Sequence, residues 1–197
     1  MEQTTEPRTK LRTIVVFAAL FAIFGAVVVF AYFSTFSRPV TTVILVRHAE
    51  KKIEPSNPDP DLAPEGVERA QEIARVFADA GINAIYATQY KRTQQTVKPL
   101  ADKLALTVNR VDAKETAELV KQIRSRNAGQ VVFIAGHNNS VPEIIAAMGG
   151  PHLPIIPETE YDNLYILTVY GDGAARLIKM KYGSAVMPVG NQGMMKP

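Results

Sequence analysis

The chain contains no cysteine and only three histidines among its 197 residues. The lack of cysteine excludes disulfide bonds, thiolate nucleophiles and cysteine-ligated zinc. An excess of charge of one sign is also missing: after residue 37 the chain has 19 basic and 17 acidic residues. A nucleic-acid partner usually requires a concentrated basic face, so we expect none here.

Charge is absent altogether between Arg12 and Arg38. Residues 13–33, TIVVFAALFAIFGAVVVFAYF, would form a helix of roughly 31 Å, which matches a bilayer core of about 30 Å. In lipid the backbone must satisfy its own hydrogen bonds, so we predict one transmembrane helix there. Arg8, Lys10 and Arg12 precede it. The positive-inside rule then places the N-terminus in the cytoplasm and the remaining chain outside the cytoplasmic membrane, in the periplasm or the extracellular space.

A cleaved signal peptide is the alternative interpretation of this segment. Its apolar core is usually about 7–15 residues long and precedes a small-x-small cleavage site. The run here is longer and no such site follows it, so we favour an uncleaved signal anchor. The predicted organisation is a cytoplasmic tail (1–12), the transmembrane helix (13–33), a linker (34–41), a folded domain (42–182) and a loose tail (183–197).

The rest of the chain alternates strand patterns with amphipathic helix patterns. An alternating order predicts an α/β domain, namely a three-layer sandwich with a mostly parallel sheet and an antiparallel edge hairpin turning at Gly171-Asp172-Gly173. The predicted strands cover 41–48, 82–88, 107–111 and 130–137, and the predicted helices cover 64–81, 91–106, 113–126 and 140–150. Pro99 should bend or break the second helix.

Two of the predicted strands, VILVRH and VVFIAGH, end in a histidine, His48 and His137. Parallel strands share one carboxyl edge, where ligands bind in such sheets, so these side chains should meet there. Arg47 precedes His48, and Arg92 begins the helix that follows the strand ending at Thr88. Guanidinium groups bind phosphate oxygens in pairs, and a helix start adds backbone N–H groups. The pattern predicts a strongly positive phosphate site, with Asn138 beside it.

Three segments, LVRHAE, the Thr88–Arg92–Thr93–Thr96 segment and GHNNS, resemble in order and spacing the blocks of the histidine phosphatase superfamily, which has the phosphoglycerate-mutase-like fold. The resemblance covers residues 42–181 and is to its small, insertion-free branch 1 type. It implies that His48 attacks phosphorus as neutral imidazole and becomes a phosphohistidine that water hydrolyses. Arg47, Arg92 and a protonated His137 would hold the equatorial oxygens. It implies no metal and no cofactor.

The proton donor to the leaving group is less directly implied. One branch of the family uses an Asp after the second histidine, and this chain has Asn138 there. The resemblance is therefore to the other branch, whose acid follows the second arginine by some tens of residues. Asp112 and Glu115 are the candidates, and we prefer Glu115. The loop charges Glu158, Glu160 and Asp162 could face the substrate, but we prefer to interpret them as solvated.

The predicted activity is that of a histidine-type acid phosphatase, a phosphomonoesterase acting on a small phosphorylated substrate. Only 44 residues separate Arg92 from His137, so the long insertion of the family's mutases is absent. A phosphohistidine-protein phosphatase is the alternative within the enzyme class. A catalytically idle domain that binds phosphorylated ligands is the alternative outside it, and the presence of all four core residues favours an enzyme.

Overall fold

The computed structural model describes residues 6–36 and 39–183. The chain divides into two compact units, residues 1–38 and residues 39–197. The predicted loose tail, from residue 184 onward, lies outside the described residues, as do residues 1–5 of the predicted cytoplasmic tail.

The first unit contains one helix, α1, which runs from Glu6 to Phe36. Its Leu11–Phe33 segment has a mean hydropathy of 3.0 and is long and apolar enough to cross a membrane; a signal sequence would show the same properties. The helix is longer than predicted, because residues 6–12 and 34–36, assigned above to the tail and the linker, belong to it. The extension through residues 34–36 is possible because no glycine or proline interrupts the chain between Gly25 and Pro39.

The second unit is built on one six-stranded sheet with the order β3-β2-β4-β1-β5-β6. The first four of these strands along the sheet are parallel, β5 pairs antiparallel with β1, and β6 pairs antiparallel with β5 at the edge. This arrangement confirms the predicted fold class. The strands are β1 (Thr41–Arg47), β2 (Ile82–Thr88), β3 (Val108–Val111), β4 (Val131–Gly136), β5 (Asn163–Val169) and β6 (Ala175–Lys181).

Helices cover both faces of the sheet. One core packs α2 (Pro64–Val76) and α3 (Lys91–Leu104) against the sheet, and the other packs α4 (Thr116–Arg126) and α5 (Ser140–Ala147) on the opposite face. The second predicted helix is not broken, since Pro99 lies inside α3 and the helix continues for five further residues. The predicted helix 64–81 ends early, at Val76.

The register of the two central strands positions the functional edge. β1 and β4 are adjacent and parallel, with Arg47 opposite Gly136, and His48 N–H donates to the Gly136 carbonyl over 2.9 Å. The residues that follow both strands therefore emerge side by side. A side chain at position 136 would come within 2.9 Å of Ser140 Oγ, so glycine allows α5 to begin close to the strand end.

Candidate active site

His48 and His137 lie together at the carboxyl edge of the sheet, with their ring centroids 5.4 Å apart, and both are buried. His48 Nδ1 is 2.8 Å from the Ala49 carbonyl. Because a carbonyl only accepts hydrogen bonds, Nδ1 carries the proton and Nε2 keeps its lone pair. Burial, assisted by the charge of Arg47, lowers the pKa of His48 to about 3. The ring is therefore neutral at ordinary pH, as the family resemblance implies for a nucleophile.

His137 Nε2 is 2.9 Å from Thr88 Oγ1, which is in turn 2.8 Å from Thr93 Oγ1. The Thr93 hydroxyl lies 2.8 Å from the Tyr90 carbonyl and donates to it. Thr88 then donates to Thr93 and accepts from His137, so we assign the His137 proton to Nε2. Burial, followed by the charges of Arg92 and Arg47, lowers the pKa of His137 to about 4. His137 is therefore neutral in this structure, and its protonation during the reaction stays a prediction.

Arg47 is almost fully buried and is held by the loop that precedes β5. Its Nη1 donates to the carbonyls of Pro157 (2.9 Å) and Glu158 (2.8 Å), and more weakly to that of Glu160 (3.3 Å). Its Nη2 donates to the Glu158 carboxylate over 2.6 Å. The guanidinium carbon lies 4.2 Å from the centroid of the Tyr161 ring. The loop thus fixes one edge and one face of this guanidinium.

Arg92, in the first turn of α3, has a similar environment. Its guanidinium carbon lies 4.2 Å from the Tyr90 ring centroid, and its Nη1 is 3.6 Å from Asp59 Oδ1. The Tyr90 ring also packs edge-on against His137, with centroids 5.3 Å apart. Tyr161 has the corresponding position beside Arg47 and His48. Each arginine therefore lies on a tyrosine that also contacts a histidine.

Three N–H groups of these arginines are buried and make no hydrogen bond within the part of the chain that the structure describes: Nε of Arg47, and Nε and Nη1 of Arg92. Buried donors are normally paired in native proteins. Guanidinium donors match phosphate oxygens in geometry and charge. Together with the free lone pair of His48, these groups can hold a phosphoryl group beside a nitrogen nucleophile.

Thr96 links the first two sequence blocks. Its hydroxyl accepts from the Ala49 N–H over 2.9 Å and donates to the Arg92 carbonyl over 2.6 Å. This residue fixes the backbone that follows His48 against the helix that carries Arg92.

Asn138 lies at the site but differs in its contacts from what the sequence predicts. Its Nδ2 donates to Glu158 Oε1 over 2.7 Å, and its Oδ1 accepts from the Asn139 N–H over 3.0 Å. No side chain caps α5 at Asn139, and Ser140 Oγ instead accepts from the His137 N–H. The turn after β4 is therefore held by bonds within the turn and not by a side-chain cap on α5.

The two candidate proton donors lie between β3 and α4. Glu115 is exposed at the N-cap of α4, and its carboxylate has no hydrogen bond or ion pair to the site among the described residues. Asp112 Oδ1 accepts from the Lys114 N–H over 2.9 Å and so closes the turn.

Three residues of the site were not predicted, namely Asp59, Tyr90 and Tyr161, and Glu158 was named only in the less favoured alternative. Tyr90 could have been considered, since it precedes the helix that carries Arg92. The loop that holds Glu158 lies 111 positions from Arg47 and carries no local pattern that indicates a site. Its charge therefore looked like ordinary solvated loop charge.

Comparison with known proteins agrees with this geometry. Residues 43–114 match the model of the histidine phosphatase superfamily, branch 1. No curated protein matches the chain significantly.

Solved structures share the fold at low sequence identity. The protein histidine phosphatase SixA complexed with tungstate is 16% identical, with a TM-score of 0.57 over 71% of this chain and 96% of that chain. Mycobacterial glucosyl-3-phosphoglycerate phosphatase is 12% identical, with a TM-score of 0.57, and the match covers 74% of this chain and 100% of that chain. Mycobacterial hydrolase 1 is 13% identical, with a TM-score of 0.61, and the match covers 74% of this chain and 100% of that chain.

The fold and the clustered histidines and arginines define a hydrolase of the phosphatase class. Over residues 43–114 the chain matches the histidine phosphatase superfamily, branch 1, and its folded unit shares the fold of these phosphatases.

Proposed function

We propose that this protein hydrolyses phosphomonoesters through a phosphohistidine formed on His48. The observation that carries the proposal is the state of that ring, which is neutral and makes no hydrogen bond at Nε2 among the described residues. Buried N–H groups of Arg47 and Arg92 in the same site likewise lack a hydrogen bond among these residues. A neutral imidazole is the nucleophilic form of histidine, and preorganised donors stabilise the charge that develops on a phosphoryl group.

In the first half-reaction, His48 Nε2 attacks phosphorus in line and forms an N–P bond as the P–O ester bond breaks. Arg47, Arg92 and His137 hold the equatorial oxygens, with Asn138 at the edge of the phosphate site. Glu115 donates a proton to the departing oxygen. His137 can donate through Nδ1 once the phosphoryl charge has raised its pKa.

In the second half-reaction, a water molecule takes the place of the leaving group. The Glu115 carboxylate accepts a proton from that water as its oxygen bonds to phosphorus. The N–P bond breaks, the lone pair returns to His48, and inorganic phosphate leaves.

Glu115 is preferred to Asp112 as the proton donor. The Asp112 carboxylate is already used in the turn to Lys114, whereas the Glu115 carboxylate is exposed and free to approach a bound leaving group. Both residues follow β3, whose carboxyl end lies at the same edge of the sheet as His48 and His137.

We further propose that residues 13–33 anchor the protein in the cytoplasmic membrane, with the phosphatase domain on the outer side. Support comes from the length and hydropathy of α1 and from the basic residues that precede the apolar run. Protease added to intact spheroplasts should degrade the domain, and the full-length band should sediment with membranes. A full-length band in the soluble fraction would contradict the anchor.

A phosphohistidine-protein phosphatase is the second candidate. It is supported by the similarity in fold to the protein histidine phosphatase SixA, which the chain covers almost completely. Comparing the release of phosphate from a phosphohistidine-containing protein and from small phosphomonoesters would separate the two candidates.

The activity itself is tested with p-nitrophenyl phosphate and the full-length chain in detergent. His48→Ala should reduce hydrolysis by about 10³-fold or more. His152→Ala is the matched control, because His152 is exposed and lies outside the site, and it should leave the rate unchanged. Equal rates for His48→Ala and the unmodified chain would refute the nucleophile. An unmodified chain without hydrolysis, but with phosphate binding, would indicate the catalytically idle domain.

A further inference from the structure

Glu158 bridges two residues of the phosphate site. Its Oε2 is 2.6 Å from Arg47 Nη2, and its Oε1 is 2.7 Å from Asn138 Nδ2. The side chain is 68% exposed, whereas that of Arg47 is 2% exposed. Glu158 therefore lies at the solvent-exposed side of the site, and its carboxylate is bonded to the buried Arg47 and the half-buried Asn138.

The charge of the site is smaller than its sequence predicts. Both histidines are neutral, because their pKa values are lowered to about 3 and about 4. Each arginine has a carboxylate neighbour: Glu158 beside Arg47, and Asp59 at 3.6 Å from Arg92. The buried N–H groups can bind a phosphoryl group, but little positive charge remains for further anionic groups of a substrate.

We propose that Glu158 selects the substrate by the charge of its leaving group, so that the site accepts phosphomonoesters with neutral or cationic leaving groups and rejects those with a carboxylate or a second phosphate. The inference rests on the proposed function. The phosphoryl group is held at the buried arginines, and the leaving group then points outward, past Glu158. Like charges a few ångströms apart repel in a partly desolvated site, whereas an ammonium group is attracted.

Lys51 is a second charge near the site, since it contributes to the lowered pKa of His137. It has no hydrogen bond to Arg47 or Asn138 among the described residues, whereas Glu158 contacts both. Glu158 is therefore the charge coupled directly to the phosphate site.

Glu158 is not required to keep Arg47 in place. The guanidinium is also held by the carbonyls of residues 157 and 158 and by the Tyr161 ring. Glu158→Gln retains these contacts and nearly the same volume. The substitution should consequently change how the site discriminates between charged leaving groups, and it should leave the positions of the site residues unchanged.

The test measures binding with the full-length chain in detergent, in a His48→Ala background that cannot form the covalent intermediate. Calorimetry gives the Kd of phosphorylethanolamine, whose leaving group is cationic, and of 3-phosphoglycerate, whose leaving group is anionic. Adding Glu158→Gln should tighten 3-phosphoglycerate relative to phosphorylethanolamine by about fivefold to tenfold. Glu158→Asp, which retains the charge, should keep the original preference. Glu118→Gln, which removes a surface carboxylate beside Lys121, should also leave it unchanged.

An unchanged ratio of the two Kd values in Glu158→Gln would overturn the inference. Equal weakening of both ligands would overturn it as well, and would assign Glu158 a purely structural role. Failure of both ligands to bind either variant would exclude a phosphate site and so overturn the inference together with the proposed function. The ratio of the two Kd values could change as expected while the unmodified chain hydrolyses no phosphomonoester. That result would support the role of Glu158 in selecting ligands and would refute only the proposed reaction.

Discussion

Thr88 Oγ1 and His137 Nε2 are hydrogen-bonded over 2.9 Å, and this bond decides which nitrogen of His137 is available to a substrate. With Nε2 donating to Thr88, Nδ1 is the remaining nitrogen and has no proton in the neutral ring. His137 must therefore gain a proton before it can donate to a phosphoryl oxygen. This relationship leads to the first two predictions.

Thr88→Val should lower kcat/KM for p-nitrophenyl phosphate by about 10- to 100-fold, somewhat less than the 10²- to 10³-fold loss typical of removing a direct transition-state donor. The reason is that His137 loses the partner that fixes its tautomer and ring orientation. Thr88→Ser retains the hydroxyl and should retain most of the activity. Full activity of Thr88→Val with an unchanged pH profile would show that the bond has no role in the reaction.

Dianion binding should tighten as the pH falls from 8 to 5. The pKa of His137 is about 4 in this structure, and a bound dianion raises it, so binding takes up a proton. Affinity is highest near the pKa of the free site, falls by up to about tenfold per pH unit between that pKa and the raised one, and levels off above the raised pKa. Sulfate is a suitable ligand, because its charge does not change across this range. Its inhibition constant should depend on pH in the unmodified chain and only weakly in His137→Gln; identical pH profiles would refute the coupling.

The thermal stability of the domain should decrease as the pH falls below about 6.5. The pKa values of His48 and His137 are lowered from 6.5 to about 3 and about 4. Between pH 6.5 and these lowered pKa values the unfolded state binds more protons than the folded state. The free energy of unfolding therefore decreases as the pH falls through this window, and it has its full value above pH 6.5. Circular dichroism melting at pH 7, 6 and 5 measures the slope. The slope should be shallower for His137→Gln than for the exposed control His152→Gln, and equal slopes would contradict this origin.

Glu50→Gln should destabilise the domain by about 3 kcal/mol, the lower end of the cost of breaking a buried ion pair. Glu50 accepts three hydrogen bonds of 2.7 to 3.0 Å from Arg69, whose side chain is 6% exposed. Without the carboxylate the buried guanidinium loses the attraction of the Glu50 charge. Urea denaturation measures the difference, with the exposed Glu118→Gln as control. A change below about 0.5 kcal/mol would show that solvent compensates the loss.

The sequence was sufficient to predict the sheet, the layers and the four central residues. Strand ends are visible as apolar runs that stop at Arg47-His48 and Gly136-His137, and parallel pairing brings such ends together. Helix limits were harder to predict, because α1 continues through polar residues on both sides and α3 continues through Pro99.

The loop that encloses Arg47 could not be predicted. It binds Arg47 through the backbone carbonyls of residues 157, 158 and 160. Every residue has a backbone carbonyl, so the amino-acid sequence does not indicate which of them accept a hydrogen bond. The neutral state of His137 was hidden for a related reason, since burial is its largest cause and depends on how distant segments pack. Glu158 was consequently interpreted as a solvated charge.

The central claim is that His48 carries the phosphoryl group during turnover, and trapping that intermediate tests it most directly. The full-length chain is mixed with radiolabelled p-nitrophenyl phosphate and quenched in base within milliseconds. We expect label that is stable in base and labile in acid, located by mass spectrometry on the peptide containing His48, and no label on His48→Ala. Turnover without any labelled protein, or equal labelling of His48→Ala, would contradict the account.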